Sequence, residues 1–239
     1  LSDAVRVEHL SKSFGSIDAV KDVSFAVPAG TAFGLLGPNG SGKSTVVECI
    51  VGTKVPDKGT VEVLQLDPIR ERRRLFQRCG VQFQDCDYQP EIKVSELCEE
   101  FACLYDSPAD WRELCNRFGI GDKTAEAVKS LSGGQRQRLF VALALLPDPE
   151  VVFLDELTTG LDAAARRSVW EILNDLKRDG MTLFLVSHFM DEVEAVCDRI
   201  CILEDGAIAF MGTPEEAKAA TGEANFEEAY LVLSGKKGE

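Results

Sequence analysis

Nine consecutive residues constrain this chain more than the rest. Gly37-Pro38-Asn39-Gly40-Ser41-Gly42-Lys43-Ser44-Thr45 follows directly on the apolar run Thr31 to Leu36 and opens a helix-like stretch that ends at Gly52. The first eight fit the spacing G-x-x-x-x-G-K-S, and a strand before it with a helix after it is the context this pattern needs. Glycine lets the backbone wrap tightly, so that successive N–H groups converge on an anion. The helix that follows adds the positive end of its dipole. At this offset Lys43 reaches the β- and γ-phosphates of a bound nucleotide, and the Ser44 hydroxyl is a ligand for Mg2+. A glycine-rich turn that binds nothing explains the glycines but not Lys43-Ser44.

Charge and composition exclude other classes. The chain has 239 residues with 26 Lys+Arg against 40 Asp+Glu, a net charge of −14. Nucleic-acid binders usually present a basic face, so a polyanion is not the expected partner. A phosphate ligand is still accommodated if local backbone dipoles supply the positive field. The longest uncharged stretch, Val23 to Gly42, holds five Gly and two Pro, and the densest apolar run, Leu139 to Leu146, is eight residues long. A spanning helix needs about 20 mostly apolar residues, so none is expected, and the opening residues carry no secretory pattern. The eight cysteines are Cys49, Cys79, Cys86, Cys98, Cys103, Cys115, Cys197 and Cys201. They form no C-x-x-C pair, although Cys98/Cys103 and Cys197/Cys201 are close in sequence. Only His9 and His188 stand to complete a zinc set, so the expectation is buried thiols of a cytosolic protein.

Strand patterns alternate with helical ones at both ends of the chain. Val5, Val7 and Val23, Phe25, Val27 alternate as in half-buried strands, and Pro56 to Gly59 turns into a strand at Thr60 to Leu64. Arg70, Arg72, Arg73, Arg74 and Arg78 read as a solvated helix face. Helical periodicity marks Val94 to Tyr105, Ala109 to Phe118 and Ser132 to Leu146. The last third gives strands at Val151 to Leu154, Thr182 to Val186 and Arg199 to Leu203, with helices at Ala163 to Arg178 and Phe189 to Val196. Such alternation predicts an α/β fold with a largely parallel sheet covered on both faces. Residues 85–148 read as a helical subdomain inserted into it.

Two further stretches carry chemistry. Val151 to Glu156 is a buried strand ending in two carboxylates, at the edge of a parallel sheet where ligands bind. Asp155 suits Mg2+ through water, and Glu156 suits the general base that polarises an attacking water. Leu131-Ser132-Gly133-Gly134-Gln135 reads as a capping box opening a helix. Gly133 and Gly134 lower helix propensity in that first turn, so they need another reason, and close approach of a phosphate supplies one.

In this order, with His188 after the strand Thr182 to Val186, these motifs resemble the ATP-binding cassette ATPase of an ABC transporter. The resemblance covers nearly the whole chain, and the Leu131–Gln135 signature is specific to that superfamily. It implies a P-loop NTPase (RecA-like) core with an antiparallel β subdomain and an inserted helical subdomain. The core takes residues 1–84 and 149–214, the helical insert 85–148, and a helical tail 215–239. Phe14 takes the place of the ring that stacks on adenine, and Val20 packs beside the base or sugar. Gln84 resembles the residue that senses Mg2+ and the attacking water, with Gln82 as its rival. Asp162 lies in the loop that touches the opposite subunit and also suits the N-cap of the next helix. His188 contacts the γ-phosphate. Leu157 departs from the family by replacing a Pro, which bears on loop stiffness more than on chemistry.

The resemblance also implies partners. Ser132, Gly133, Gly134 and Gln135 face the phosphate loop of a second ABC ATPase subunit, giving a head-to-tail homodimer closed by ATP and Mg2+. A separate transmembrane permease docks at the loop after Gln84, whose acids Asp85, Asp87 and Glu91 suit a permease helix bearing Lys or Arg. The subunit is expected on the cytoplasmic face of the membrane, without inserting into it. Ser187 to Glu194, Cys197 to Ile200, Gly212 to Pro214 and Phe226 to Leu231 resemble the bacterial drug- and lipid-exporter branch. A non-transport ABC ATPase of translation or DNA repair usually adds a second cassette, a coiled-coil insertion or zinc-binding cysteines, none of which is present. An inactive ATP-binding regulator would show a damaged catalytic set, yet Lys43, Asp155, Glu156 and His188 all stand.

Overall fold

The structure is a computed structural model and describes residues 2–82, 88–89 and 91–235. The chain opens with strands β1 (Asp3–Phe14), β2 (Ile17–Pro28) and β3 (Ala32–Leu36), then helix α1 (Lys43–Ile50), strand β4 (Lys58–Val63), helix α2 (Arg72–Phe76) and strand β5 (Cys79–Gln82). Three helices follow, α3 (Val94–Ala102), α4 (Trp111–Arg117) and α5 (Gly133–Ala144). The last part alternates: β6 (Val151–Asp155), α6 (Ala163–Arg178), β7 (Thr182–Val186), α7 (Met190–Val196), β8 (Arg199–Glu204), β9 (Ala207–Gly212), α8 (Pro214–Thr221) and α9 (Phe226–Leu233).

The strands make two sheets. One is antiparallel in the order β2-β1-β4; the other runs β5-β6-β7-β3-β8-β9. In the second sheet β5 to β8 are parallel and only β9, joined to β8 by a tight turn, is antiparallel. β3 and β7 are buried at every residue, as expected of central parallel strands with both faces covered. β1 and β2 alternate instead, with Val5, Val7, Val23, Phe25 and Val27 turned inward. The strand order places the chain ends of β3, β6, β7 and β8 side by side, so their following loops meet at one sheet edge.

Two apolar cores lie on opposite faces of the large sheet. The first fills the space between the two sheets and α1. Its spine is a row of rings, with centroids 5.2 Å apart for Phe25–Phe33, 5.4 Å for Phe33–Phe184 and 5.3 Å for Phe184–Phe153. The second is continuous from α3, α4 and α5 through β6 to α6, α7 and α9, so the inserted helices share a core with the sheet.

Several features differ from the sequence reading. β5 and β9 were not anticipated: β5 has only four residues, and β9 is an edge strand that buries little besides Gly212. α3 stops at Ala102, ahead of the expected Tyr105. The arginine cluster is exposed but largely paired, Arg70 with Asp67, Arg74 with Glu71 and Arg78 with Glu150. Of the described cysteines only Cys103 is exposed. The thiol that Cys98 meets belongs to Cys115 on α4, 3.9 Å away, and not to Cys103. Burial raises the pKa of Cys49 to about 11 and of Cys201 to about 12, which keeps both as neutral thiols.

Phe184 is the ring that joins the first core across its width, touching Phe25, Phe33 and Phe153. Phe184→Ala is therefore expected to lower unfolding stability by about 3–5 kcal/mol. Urea denaturation followed by tryptophan fluorescence measures the change.

Candidate functional site

The loop after β3 is wedged between two carbonyls. Gly37 has φ +149°, and a Cβ there would lie 2.3 Å from Leu203 O at the end of β8. Gly42 has φ +99°, and a Cβ there would lie 2.3 Å from Ala19 O on β2. Any larger residue forces the loop off both strands. The loop is also stitched by backbone bonds: Ser41 N donates to Pro38 O at 3.2 Å, and Gly206 N donates to Ser41 O at 3.2 Å. Gly42 ends in the left-handed region, so α1 starts at Lys43 with its first N–H groups turned toward the loop's concave side.

That side is a cavity of about 920 Å3. Gly37, Pro38, Asn39, Gly40, Gly42, Lys43, Ser44 and Thr45 line it, together with Asp155, Glu156 and His188 from the loops after β6 and β7. Ser41 is buried behind the loop and does not line it. Lys43 is buried, and its Nζ donates to Gly37 O and Pro38 O, each at 2.9 Å. The ammonium is thus held within the loop that would surround a phosphate.

The two carboxylates differ. Asp155 ends β6 and its pKa is raised to about 6, chiefly by burial and then by the neighbouring Glu156, with Lys43 opposing the rise. Glu156 follows at φ +49°, a conformation that costs a non-glycine residue about 1–2 kcal/mol and turns its side chain out of the strand line. Its N–H donates to Val186 O at 2.9 Å, which ties the β6 loop to the end of β7. Glu156 Oε1 lies 3.4 Å from His188 Nδ1. Leu157, where a Pro was expected, is buried in the second core.

Other candidates sit elsewhere. Ser132 and Gln135 form the expected capping box, with Gln135 N donating to Ser132 Oγ at 3.2 Å and Ser132 N to Gln135 Oε1 at 2.9 Å. A Cβ on Gly134 would sit 3.3 Å from Ala165 Cβ, and one on Gly133 3.7 Å from Leu161 Cδ2. Gly134 therefore has a reason within this chain, the close packing of α5 on the start of α6, whereas a side chain at Gly133 would make only ordinary contact. Asp162 caps α6, accepting from Ala165 N at 2.8 Å. None of Ser132, Gly133, Gly134, Gln135 and Asp162 lines the cavity.

Phe14 is 43% exposed, outside the cavity lining, with Lys54 Nζ 4.9 Å and Lys12 Nζ 5.6 Å from its ring centroid. Val20 is buried beneath Gly42, and it is its neighbour Ala19 that faces the cavity. Gln84, Asp85 and Asp87 lie outside the described residues. Glu91 is ion-paired with Lys129, and both side chains are exposed.

Sequence reasoning missed Tyr230. It reaches the cavity wall from α9, and burial raises the pKa of its phenol. The i, i+4 pair Phe226 and Tyr230 signals a buried helix face. Nothing local says which surface that face covers.

Residues 20–159 match the ABC transporter family. The chain is 38% identical over 215 residues to the Nod factor export ATP-binding protein I of Ralstonia nicotianae, a match covering 88% of this chain and 67% of that protein. It is 40% identical over 218 residues to the protein of the same name from Bradyrhizobium diazoefficiens, covering 89% of this chain and 71% of that protein. Among solved structures, an ATP binding subunit of an ABC transporter matches with a TM-score of 0.86 at 24% identity, over 97% of this chain and 99% of that one. An ATP-binding cassette solved as a dimer in a post-hydrolysis state with ADP and Pi matches with a TM-score of 0.77 at 25% identity, over 87% of this chain and 98% of that one. The chain belongs to the ABC transporter family. It is an ATP-binding subunit of a transporter, related to the export ATPases, and its reaction is ATP hydrolysis.

The raised pKa of Asp155 has a measurable sign. The folded chain holds this proton between the ordinary value of 3.8 and about 6, where an unfolded chain has lost it. Raising the pH through that window therefore removes stability. Without nucleotide or divalent metal, Asp155→Asn is expected to gain stability relative to wild type between pH 4.5 and pH 7. Urea midpoints of both proteins at the two pH values measure it.

Proposed function

We propose that this chain is the ATP-driven subunit of an exporter, working as a head-to-tail homodimer on the cytoplasmic face of a separate transmembrane permease. One observation carries the reading. The phosphate loop, Asp155, Glu156 and His188 share a cavity, while the exposed Ser132 end of α5 and the capping Asp162 do not line it. In a single subunit the signature has no phosphate to face; in a dimer it meets the partner's cavity, with the N-terminal dipole of α5 directed at the γ-phosphate. The dimeric cassette with ADP and Pi supports this assembly, and the names of the export relatives support the direction of transport.

Within the cavity the roles follow from position. The N–H groups of Asn39, Gly40, Gly42, Lys43, Ser44 and Thr45 bind the phosphates, Lys43 exchanges its loop carbonyls for phosphate oxygens, and Phe14 flanks the base side with Ala19, since Val20 is buried. Glu156 accepts a proton from the attacking water, and His188 beside it contacts the γ-phosphate. Ser44 and Asp155 offer a hydroxyl and a carboxylate, oxygen donors of the kind Mg2+ takes. No group of three His, Cys, Asp or Glu among the described residues forms a metal site alone. The pair therefore fits an ion that also takes phosphate oxygens and water. Bound there, Mg2+ supplies positive charge to the β- and γ-phosphates and relieves the burial of Asp155. Gln84 completes the set as the sensor of ion and water, at the boundary between residues 1–84 and the helical insert 85–148. The permease docks on that insert, and residues 149–214 return the chain to the core before the tail 215–239. No described helix is long and apolar enough to cross a membrane, in keeping with a permease on another chain.

Two outcomes test this. Glu156→Gln is expected to keep ATP bound and lose at least ~10²-fold in turnover, as for removal of a general base. Lys43→Ala is expected to weaken ATP binding itself; nucleotide titration and phosphate release separate the two, and normal turnover in Glu156→Gln removes the base from its role. Light scattering tests the assembly: the Glu156→Gln chain is expected to dimerise on adding ATP, and an added Ser132→Arg to prevent it. An ATP-independent dimer indifferent to Ser132→Arg contradicts the arrangement.

A further inference from the structure

Among the described residues, only Lys43 and Glu192 are both formally charged and buried. Lys43 belongs to the phosphate loop. Glu192 lies on the first turn of α7, four residues after His188, at 1% exposure, and nothing in the preceding scheme uses it.

Its surroundings join three separate segments. Trp170 of α6 donates its indole Nε1–H to Glu192 Oε1 at 3.3 Å. The hydroxyls of Ser187 and Thr158 flank the same carboxylate, and with the indole they hold its pKa down against a larger rise from burial. Ser187 immediately precedes His188, and its Oγ accepts from Phe189 N at 3.1 Å. Thr158 lies two residues after Glu156; its Oγ1 is buried without a hydrogen-bond partner, close enough to the Glu192 carboxylate to lower its pKa. A second clamp runs alongside. Arg166, one turn before Trp170, stacks 5.0 Å over the Phe189 ring and reaches Asp191 at 3.3 Å, while the Phe189 ring lies 4.1 Å from that of His188.

We propose that Glu192 is a positioning residue that sets His188 against Glu156, through its hydrogen bond with Trp170 and the buried hydroxyls of Ser187 and Thr158 beside it. A buried carboxylate costs several kcal/mol unless it is hydrogen-bonded, and the fold alone does not call for one, since an apolar side chain would fill the same space. What a carboxylate adds is several acceptor sites in one place, one of them taken by Trp170 and the others beside the two loop hydroxyls. The backbone bond Glu156 N to Val186 O ties the loops after β6 and β7, and side-chain ties add to their relative placement. Because Trp170 and Arg166 stand on the helix that Asp162 caps, the same node links His188 to the surface offered to the second subunit.

The inference rests on the proposed role of His188 at the γ-phosphate, and the test separates the two. ATP affinity, kcat and thermal midpoint are measured for Glu192→Leu, Glu192→Gln, Thr158→Val, His188→Ala and the double variant Glu192→Leu/His188→Ala. A misplacement of ~1 Å costs up to ~10²-fold in rate, so Glu192→Leu is expected to lose at least about tenfold in kcat with ATP affinity kept. Glu192→Gln, which still accepts from Trp170, is expected to restore most of the loss, and Thr158→Val to lose kcat in the same direction. The double variant is expected to be no slower than His188→Ala, since one residue acts through the other. Losses that multiply in the double variant overturn the inference, as does normal kcat in folded Glu192→Leu while His188→Ala is impaired. Normal kcat in His188→Ala overturns the role of His188 itself and this inference with it. If Glu192→Leu does not fold, Thr158→Val decides, and unchanged kcat there overturns the proposal.

Discussion

The site depends on one steric constraint. Gly37 and Gly42 pass so close to the carbonyls of Leu203 and Ala19 that no Cβ fits. One carbonyl belongs to the parallel sheet and the other to the antiparallel one, so the loop is gripped by both layers of the fold. Close packing leaves that grip little room to relax. The loop's N–H groups are thereby fixed before any phosphate arrives, and fixed dipoles do not have to reorganise on binding.

A chain of net charge −14 that binds an anion needs a local solution to its own electrostatics. In the proposed scheme backbone dipoles and the buried Lys43 supply it on one wall of the cavity. Asp155 and Glu156 line another wall, and the raised pKa of Asp155 reflects its burial and then the neighbouring Glu156, with Lys43 opposing the rise. A cation between carboxylate and phosphate would relieve both walls at once, which is the electrostatic reason for the metal in the proposed scheme. The two carboxylates are kept distinct by backbone geometry: Asp155 remains in strand register, whereas Glu156 turns through positive φ toward His188.

The second core gives the site its connections. It runs unbroken from α3–α5 to α7 and α9, so the inserted helices, the helix after β7 and the tail share one packed interior. Lys218 of α8 reaches Glu194 of α7 at 3.1 Å, and Tyr230 of α9 closes part of the cavity wall. The tail is therefore a structural part of the nucleotide cavity, although no chemistry-bearing motif lies within it.

Local sequence determined a good deal here. The glycine spacing with Lys43-Ser44 specified an anion-binding turn, because only glycine tolerates those backbone angles and close approaches. The uniform apolarity of β3, β6 and β7 specified buried parallel strands, and Ser132 with Gln135 and Asp162 specified helix starts, since caps act within one turn. Short edge strands were not legible: four residues of β5 and the half-exposed β9 carry too weak a period. Only the tertiary structure decided that Ala19 and not Val20 faces the cavity, that Cys98 meets Cys115, that Gly134 makes room for Ala165, that Tyr230 lines the cavity and that Glu192 is buried against Trp170. Each of these is a contact between residues distant in sequence, or a choice between two faces of one strand. A side-chain pattern says that a face is buried; the packing of the whole chain decides against what.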